Sequence, residues 1–191
     1  VVCALFTSIA YLTDHYNHPL GFSYERVWQL SFERPPTAES TNRENRAATQ
    51  RLMRALRTSK NIEEVACIHI SPFSFSAWNT TFDVSGRNIS AYVNLATEQL
   101  PKVLDMPLTG GRWFRPGDEA LSWIPIVINE KLGREIYGNV NPVGQIFPEM
   151  SEGEKQRRVI GVISDFRQDG KLAEVQNYFF EYINMAAVSI P

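Results

Sequence analysis

Residues Ile124–Phe147 read IPIVINEKLGREIYGNVNPVGQIF, and the rest of the chain is best understood outward from them. IPIVIN is an apolar run of strand character. Asn129 follows as a good N-cap for a helix of one to two turns, with Leu132 and Ile136 on its inner face. Gly138 suits the left-handed C-terminal cap. Asn141-Pro142-Val143-Gly144 fits a type I turn, with Asn first, Pro second and Gly fourth. QIF then starts another strand. Glu130 and Glu135 are five residues apart and do not share a helix face as an i, i+4 pair would. The stretch therefore reads as a structural joint and not as a catalytic pair.

Downstream, RRVIGVISDF is a further strand, apolar on both faces. Asp165 at its end more readily caps a turn than acts alone as a catalyst. Upstream the chain is β-rich. TTFDV and ISAYVNL flank SGRN, a hairpin turn, and a short helix is expected over about Thr97–Leu104. PLTGGRWFRPGDE is turn-rich, with glycines able to take positive φ.

The N-terminal third has another texture. RVWQLSF alternates, placing Trp28, Leu30 and Phe32 on one buried face of a strand that ERPP then breaks. A helix is expected over about Asn42–Ser59, with capping-box spacing from Thr41 to Glu44. Ala48, Leu52, Ala55 and Leu56 lie on its inner side, and an arginine stripe forms a solvated face. EVACIHIS reads as an inner strand, which completes a βαβ unit. At SPFSFSAWN the composition shifts to Ser, Pro and spaced aromatics. The expected division is a βαβ subdomain over 21–76 and a mostly-β subdomain over 77–176, an α+β fold. Phe73, Phe75 and Trp78 at the seam either seal the two parts together or form an interaction surface.

Composition narrows the function. The chain has 191 residues, 43% hydrophobic and 21% charged, with a formal net charge of −2, so nothing points to nucleic acid. No Gly-x-Ser-x-Gly elbow, phosphate loop or dinucleotide fingerprint is present, so neither a cofactor nor catalytic residues are expected. Asp14, His15 and His18 in DHYNH lack a His-Glu-x-x-His companion, and no metal site is expected. His69 reads as a satisfied strand histidine. Cys3 and Cys67 permit at most one disulfide, which spacing alone does not establish. VVCALFTSIAYL is nearly all apolar over residues 1–12. It is too short to span a bilayer, and reads equally as the end of a transmembrane helix or as a buried helix.

Several of these pieces, in this order, resemble the extracytoplasmic domain of MacB/FtsX-like ABC transporter permeases. They are Gly111, Arg112, Phe114 and Asp118; Asn129, Glu130, Leu132 and Ile136; Asn141, Pro142, Val143 and Gly144; and Arg158, Ile160, Gly161, Val162 and Asp165. HPLGFSYERVWQLSF is similar to the family's segment just after its first membrane helix.

The resemblance implies a porter part built of βαβ halves with a mostly-β Sabre part inserted between them. Residues 1–20 would be the end of a membrane or stalk helix, and 177–191 a strand returning toward the porter part. It also implies a non-enzymatic periplasmic domain of an inner-membrane efflux permease. Such a domain would contact an adaptor or outer-membrane partner or handle substrate, beside an ABC ATPase, in a homodimer. Two other readings compete with it: a free-standing periplasmic binding module for a lipid, peptide or small molecule, and a hydrolase built around Asp165 or His69.

Overall fold

A computed structural model describes residues 2–31, 42–74, 76–148, 153 and 155–184. The helices are α1 (Val2–Asn17), α2 (Asn42–Thr58), α3 (Leu100–Leu104) and α4 (Glu130–Tyr137). The strands are β1 (Asn79–Val84), β2 (Arg87–Ala96), β3 (Leu108–Gly111), β4 (Ile124–Asn129), β5 (Arg157–Ile163) and β6 (Tyr178–Tyr182). The strands form one mixed sheet in the order β1-β2-β6-β4-β5-β3. β2/β6 and β4/β5 are parallel, and the other pairs are antiparallel.

The strand sequences explain this architecture. Side chains alternate across a strand, so a strand that is apolar at every position must be covered on both faces. In β4, Ile126 and Ile128 pack with Val93, Val159, Phe179 and Leu132 of α4. Val127 points to the other side, with Phe180, Phe166, Trp113 and Leu100 of α3. The sheet is thus sandwiched between α4 on one face and α3 with the Leu20–Phe22 segment on the other. The β1–β2 hairpin closes at Ser85-Gly86, both at positive φ (54° and 81°), the geometry that matches strand twist in a two-residue turn.

Two glycines let strands cross at close range. A Cβ on Gly161 of β5 would lie 2.1 Å from the Arg112 carbonyl oxygen, and one on Gly111 would lie 2.2 Å from that of Ile160. The paired glycines allow the chain leaving β3 to pass directly over β5, where Arg112 N–H donates to Ile160 O at 2.9 Å.

Several expectations are corrected. The stretch 27–31 pairs with no strand among the described residues. Val27 alone packs on the core, while Trp28 (90% exposed), Gln29, Leu30 and Ser31 are all exposed, so neither alternating face is buried; Phe32 lies outside the described residues. The EVACIHIS stretch makes one bridge, Ile68 to Ala96, at the end of β2, because it sends Ala66 and Ile68 into the core and leaves His69 exposed. A paired βαβ unit is therefore absent among the described residues. The buried face of α2 centres on Thr49 and Met53, with Ala48 and Ala55 exposed. QIF contributes a single bridge, Ile146 to Arg158. The turn after α4 sits one residue later than expected: Gln145 N–H donates to Pro142 O, and Gly144 takes φ 88° at the third position. Residues 178–182 do not leave the β-rich part, because Tyr178, Phe179 and Phe180 are all buried and need both faces of the sheet; they form its central strand β6.

The glycine crossing yields a prediction. Gly161→Ala should destabilise the domain by about 2–3 kcal/mol through backbone overpacking. Gly110→Ala, where a Cβ would meet only ordinary contacts at 3.7 Å, should stay within about 0.5 kcal/mol. Urea denaturation of the two variants checks the difference.

Candidate functional site

The motif residues gather chiefly at two places, the first built mainly from side-chain bonds to backbone and the second around a side-chain ion pair. The first lies where β4 passes into α4. Asn129 is fully buried. Its Oδ1 accepts from Leu132 N–H at 3.2 Å, capping α4, and from Tyr178 N–H at 3.0 Å, at the start of β6. Its Nδ2 donates to Gln176 O at 2.8 Å and to Asp165 Oδ1 at 3.2 Å. Asp165 Oδ1 also accepts from Lys131 N–H at 2.8 Å, and Oδ2 accepts from Arg134 Nη2 at 2.8 Å. Lys131 Nζ reaches Val175 O at 2.8 Å. Glu130 lies 3.7 Å from Arg134 on the helix surface.

The second place is a clamp over the β3–β4 connection. Arg112 binds Asp118 through two hydrogen bonds, at 2.7 and 3.0 Å, and Arg115 N–H adds a third at 3.1 Å. Asp118 is 3% exposed, so its charge is neutralised by a planar two-point partner, the geometry that compensates for burial. Phe114 is buried beside it, between Trp113 and Tyr182.

Between β3 and α4 lies an open groove of about 420 Å³. Glu130, Asn141, Pro142 and Val162 line it together with Gly110 and Arg134. Asn141 Oδ1 accepts from Val143 N–H at 3.1 Å, and Pro142 rests against Gly133.

The proposed interaction surface is held by a network that sequence reading missed. Asn94 of β2 grips Ile70 at both its N–H (3.0 Å) and its C=O (2.7 Å). Asn94 also donates to the Tyr178 hydroxyl at 2.7 Å, which donates to Gln168 Oε1 at 2.6 Å. Gln168 in turn holds Ser76 O through its side chain and Phe73 N–H through its carbonyl. Burial pushes the Tyr178 phenol up, so it stays a donor. An Asn inside the apolar run AYVNLA is the signal that could have revealed this. Phe73 and Trp78 are each 48% exposed: Phe73 packs against Phe22 and Tyr24, and Trp78 against His69. Phe75 lies outside the described residues.

Among the described residues, no three His, Cys, Asp or Glu side chains gather as a metal group. Asp14 and His18 pair at 3.5 Å, and His15 Nδ1 bonds to Tyr11 O. Burial pushes the Cys67 thiol pKa up.

The Asn129 junction yields a prediction. Asn129→Ala strands the Leu132 and Tyr178 N–H groups and should cost about 2–4 kcal/mol, measured by urea denaturation. Tyr178→Phe should cost about 1–2 kcal/mol and speed amide hydrogen exchange selectively at Ile70 and Phe73.

The sequence model of the MacB-like periplasmic core domain matches residues 2–186. No curated protein matches the sequence. Among solved structures, the chain is similar to the periplasmic region of MacB from Actinobacillus actinomycetemcomitans, with 21% identity, TM-score 0.49, and coverage of 68% of this chain and 52% of that one. It is also similar to the extracellular domain of the noncanonic ABC-type transporter YknZ from Gram-positive bacteria, with 18% identity, TM-score 0.50, and coverage of 74% and 68%. The chain thus spans about half the length of the MacB region it matches. With 2–186 matched, the chain belongs to the MacB-like periplasmic core domain family.

Proposed function

We propose that this domain is the non-enzymatic extracytoplasmic part of an inner-membrane ABC transporter permease, and that it serves partner contact or substrate handling during export. One observation carries the membrane side of this reading. Every described side chain of α1 from Leu5 to Asp14 is exposed, including Leu5, Phe6, Ile9 and Leu12. No helix among the described residues is long and apolar enough to cross a membrane. An apolar helix stretch left exposed among the described residues needs other apolar surroundings, which a bilayer supplies. The motif carboxylates support the non-catalytic side, because Asp165 and Asp118 spend both oxygens on structural hydrogen bonds.

The porter-like role of 21–76, the Sabre-like role of 77–176, the homodimer, the ATPase beside it and the adaptor or outer-membrane partner all belong to this proposal. The Phe73–Trp78 surface is its proposed contact region.

Topology tests the reading. In cells with a permeabilised outer membrane, a membrane-impermeant maleimide should label the full protein carrying Ile146→Cys, and should not label Ile9→Cys. Protection of Ile146→Cys would place the domain on the wrong side. The surface has its own test. Trp78→Ala should change stability by no more than about 1 kcal/mol, yet reduce export by the full transporter. A loss of about 3 kcal/mol or more would instead make Trp78 a core seal.

A further inference from the structure

Resting on that membrane reading, we propose that the loop Asp169–Ala173 is a lipid contact: Leu172 inserts into the phospholipid headgroup layer beside the exit of α1. The inference starts from a juxtaposition. Lys171 Nζ lies 4.3 Å from the ring centre of Tyr16, in the last turn of α1. Leu172, the next residue, is 56% exposed and packs in neither core.

The apolar stretch of α1 ends at Leu12, and Asp14 is its first charge. At about 1.5 Å of rise per residue, Tyr16 stands about 6 Å beyond Leu12 along the axis. A headgroup region occupies about 5–8 Å on each side of a bilayer core. If the apolar stretch marks the hydrocarbon, Tyr16 and Lys171 fall inside the headgroup layer, and Leu172 falls with them.

The loop is built to hold that position. Arg167 N–H donates to Leu20 O at 2.9 Å, which ties the loop's base to the chain just past α1. Gly170 N–H donates to Arg167 O, Ala173 N–H donates to Gly170 O, and Arg167 Nη1 donates to Ala173 O. The loop is therefore closed on itself with Leu172 outward, so little ordering entropy opposes insertion. Its charges do not make a basic patch: Lys171 sits over Tyr16, while Asp169, Glu174 and Asp14 are exposed acids nearby. The contact is apolar, with Lys171 and Tyr16 as amphipathic flanks of the kind that settle at an interface. It should not depend on anionic lipid or on salt.

The test uses the full protein with Cys3→Ala and Cys67→Ala, reconstituted in phosphatidylethanolamine/phosphatidylglycerol vesicles. Single cysteines replace Ile9, Leu172 or Ile146 and carry a fluorophore. Ile146 bridges Arg158 near the start of β5, whereas the α1 exit meets Asp165 just past its end, so Ile146 reports the far side. Quenching by headgroup-nitroxide lipid should be at least about threefold stronger at Leu172 than at Ile146, and unchanged between low and high salt. Acyl-chain nitroxide should quench Ile9. Quenching at Ile9 with Leu172 no different from Ile146 would overturn the lipid contact and leave the membrane reading standing. An unquenched Ile9 would overturn both.

Discussion

One buried side-chain amide joins three parts of this domain that are distant in sequence. Asn129 caps α4, fixes the first residue of β6, and reaches the Gln176 carbonyl and Asp165. The Leu132 and Tyr178 N–H groups it binds would otherwise be buried donors without a partner. β6 is the strand that joins the β1–β2 hairpin to the β4–β5 pair. The amide therefore holds the strand that makes two small β units into one sheet. No apolar residue of the same size could do this, because satisfying donors and acceptors at once needs both ends of an amide.

The same economy governs the outer half of the sheet. Arg112 and Asp118 fix the loop that leaves β3, and Gly111 and Gly161 let that loop lie directly on β5. The ion pair alone is weak evidence for stability. Its role is geometric: it sets where Trp113 and Phe114 enter the core, and those rings pack against Phe180 (edge-on) and Tyr182 (tilted).

Local signals were legible where local chemistry decides the outcome. Asn129 as cap, the SGRN turn, and β4 and β5 as strands covered on both faces follow from caps, turn residues and period alone, whereas Gly138 closes α4 at φ 61° and ψ −119°, outside the left-handed cap expected of it. Pairing was not legible. RVWQLSF alternates as a strand should, yet alternation does not say whether a partner exists, and Val27–Ser31 has none among the described residues. The resemblance implies that 177–191 returns toward the porter part, whereas three consecutive buried residues, Tyr178, Phe179 and Phe180, demand a central position in the sheet. The network behind Phe73 and Trp78 escaped for the same reason: the Asn within AYVNLA flags a buried polar group, but its links to Tyr178 and Gln168 form only through long-range packing.

The two buried or bonded carboxylates bear on whether this region is a joint or an active site. A general acid or base must hold a proton that it can exchange with a substrate, and so must keep an oxygen free to face one. Asp165 gives Oδ1 to Asn129 and Lys131 N–H and Oδ2 to Arg134. Asp118 gives one oxygen to Arg112 and the other to Arg112 and Arg115 N–H, and it is shut away from solvent. In both cases the donors include backbone N–H groups that no side-chain rearrangement can withdraw, so freeing the acid would mean opening the local fold. Spacing in the sequence could only show that Glu130 and Glu135 do not pair. The geometry supplies the stronger argument: Asp118 and Asp165 are spent on holding strands, helix and loop in register.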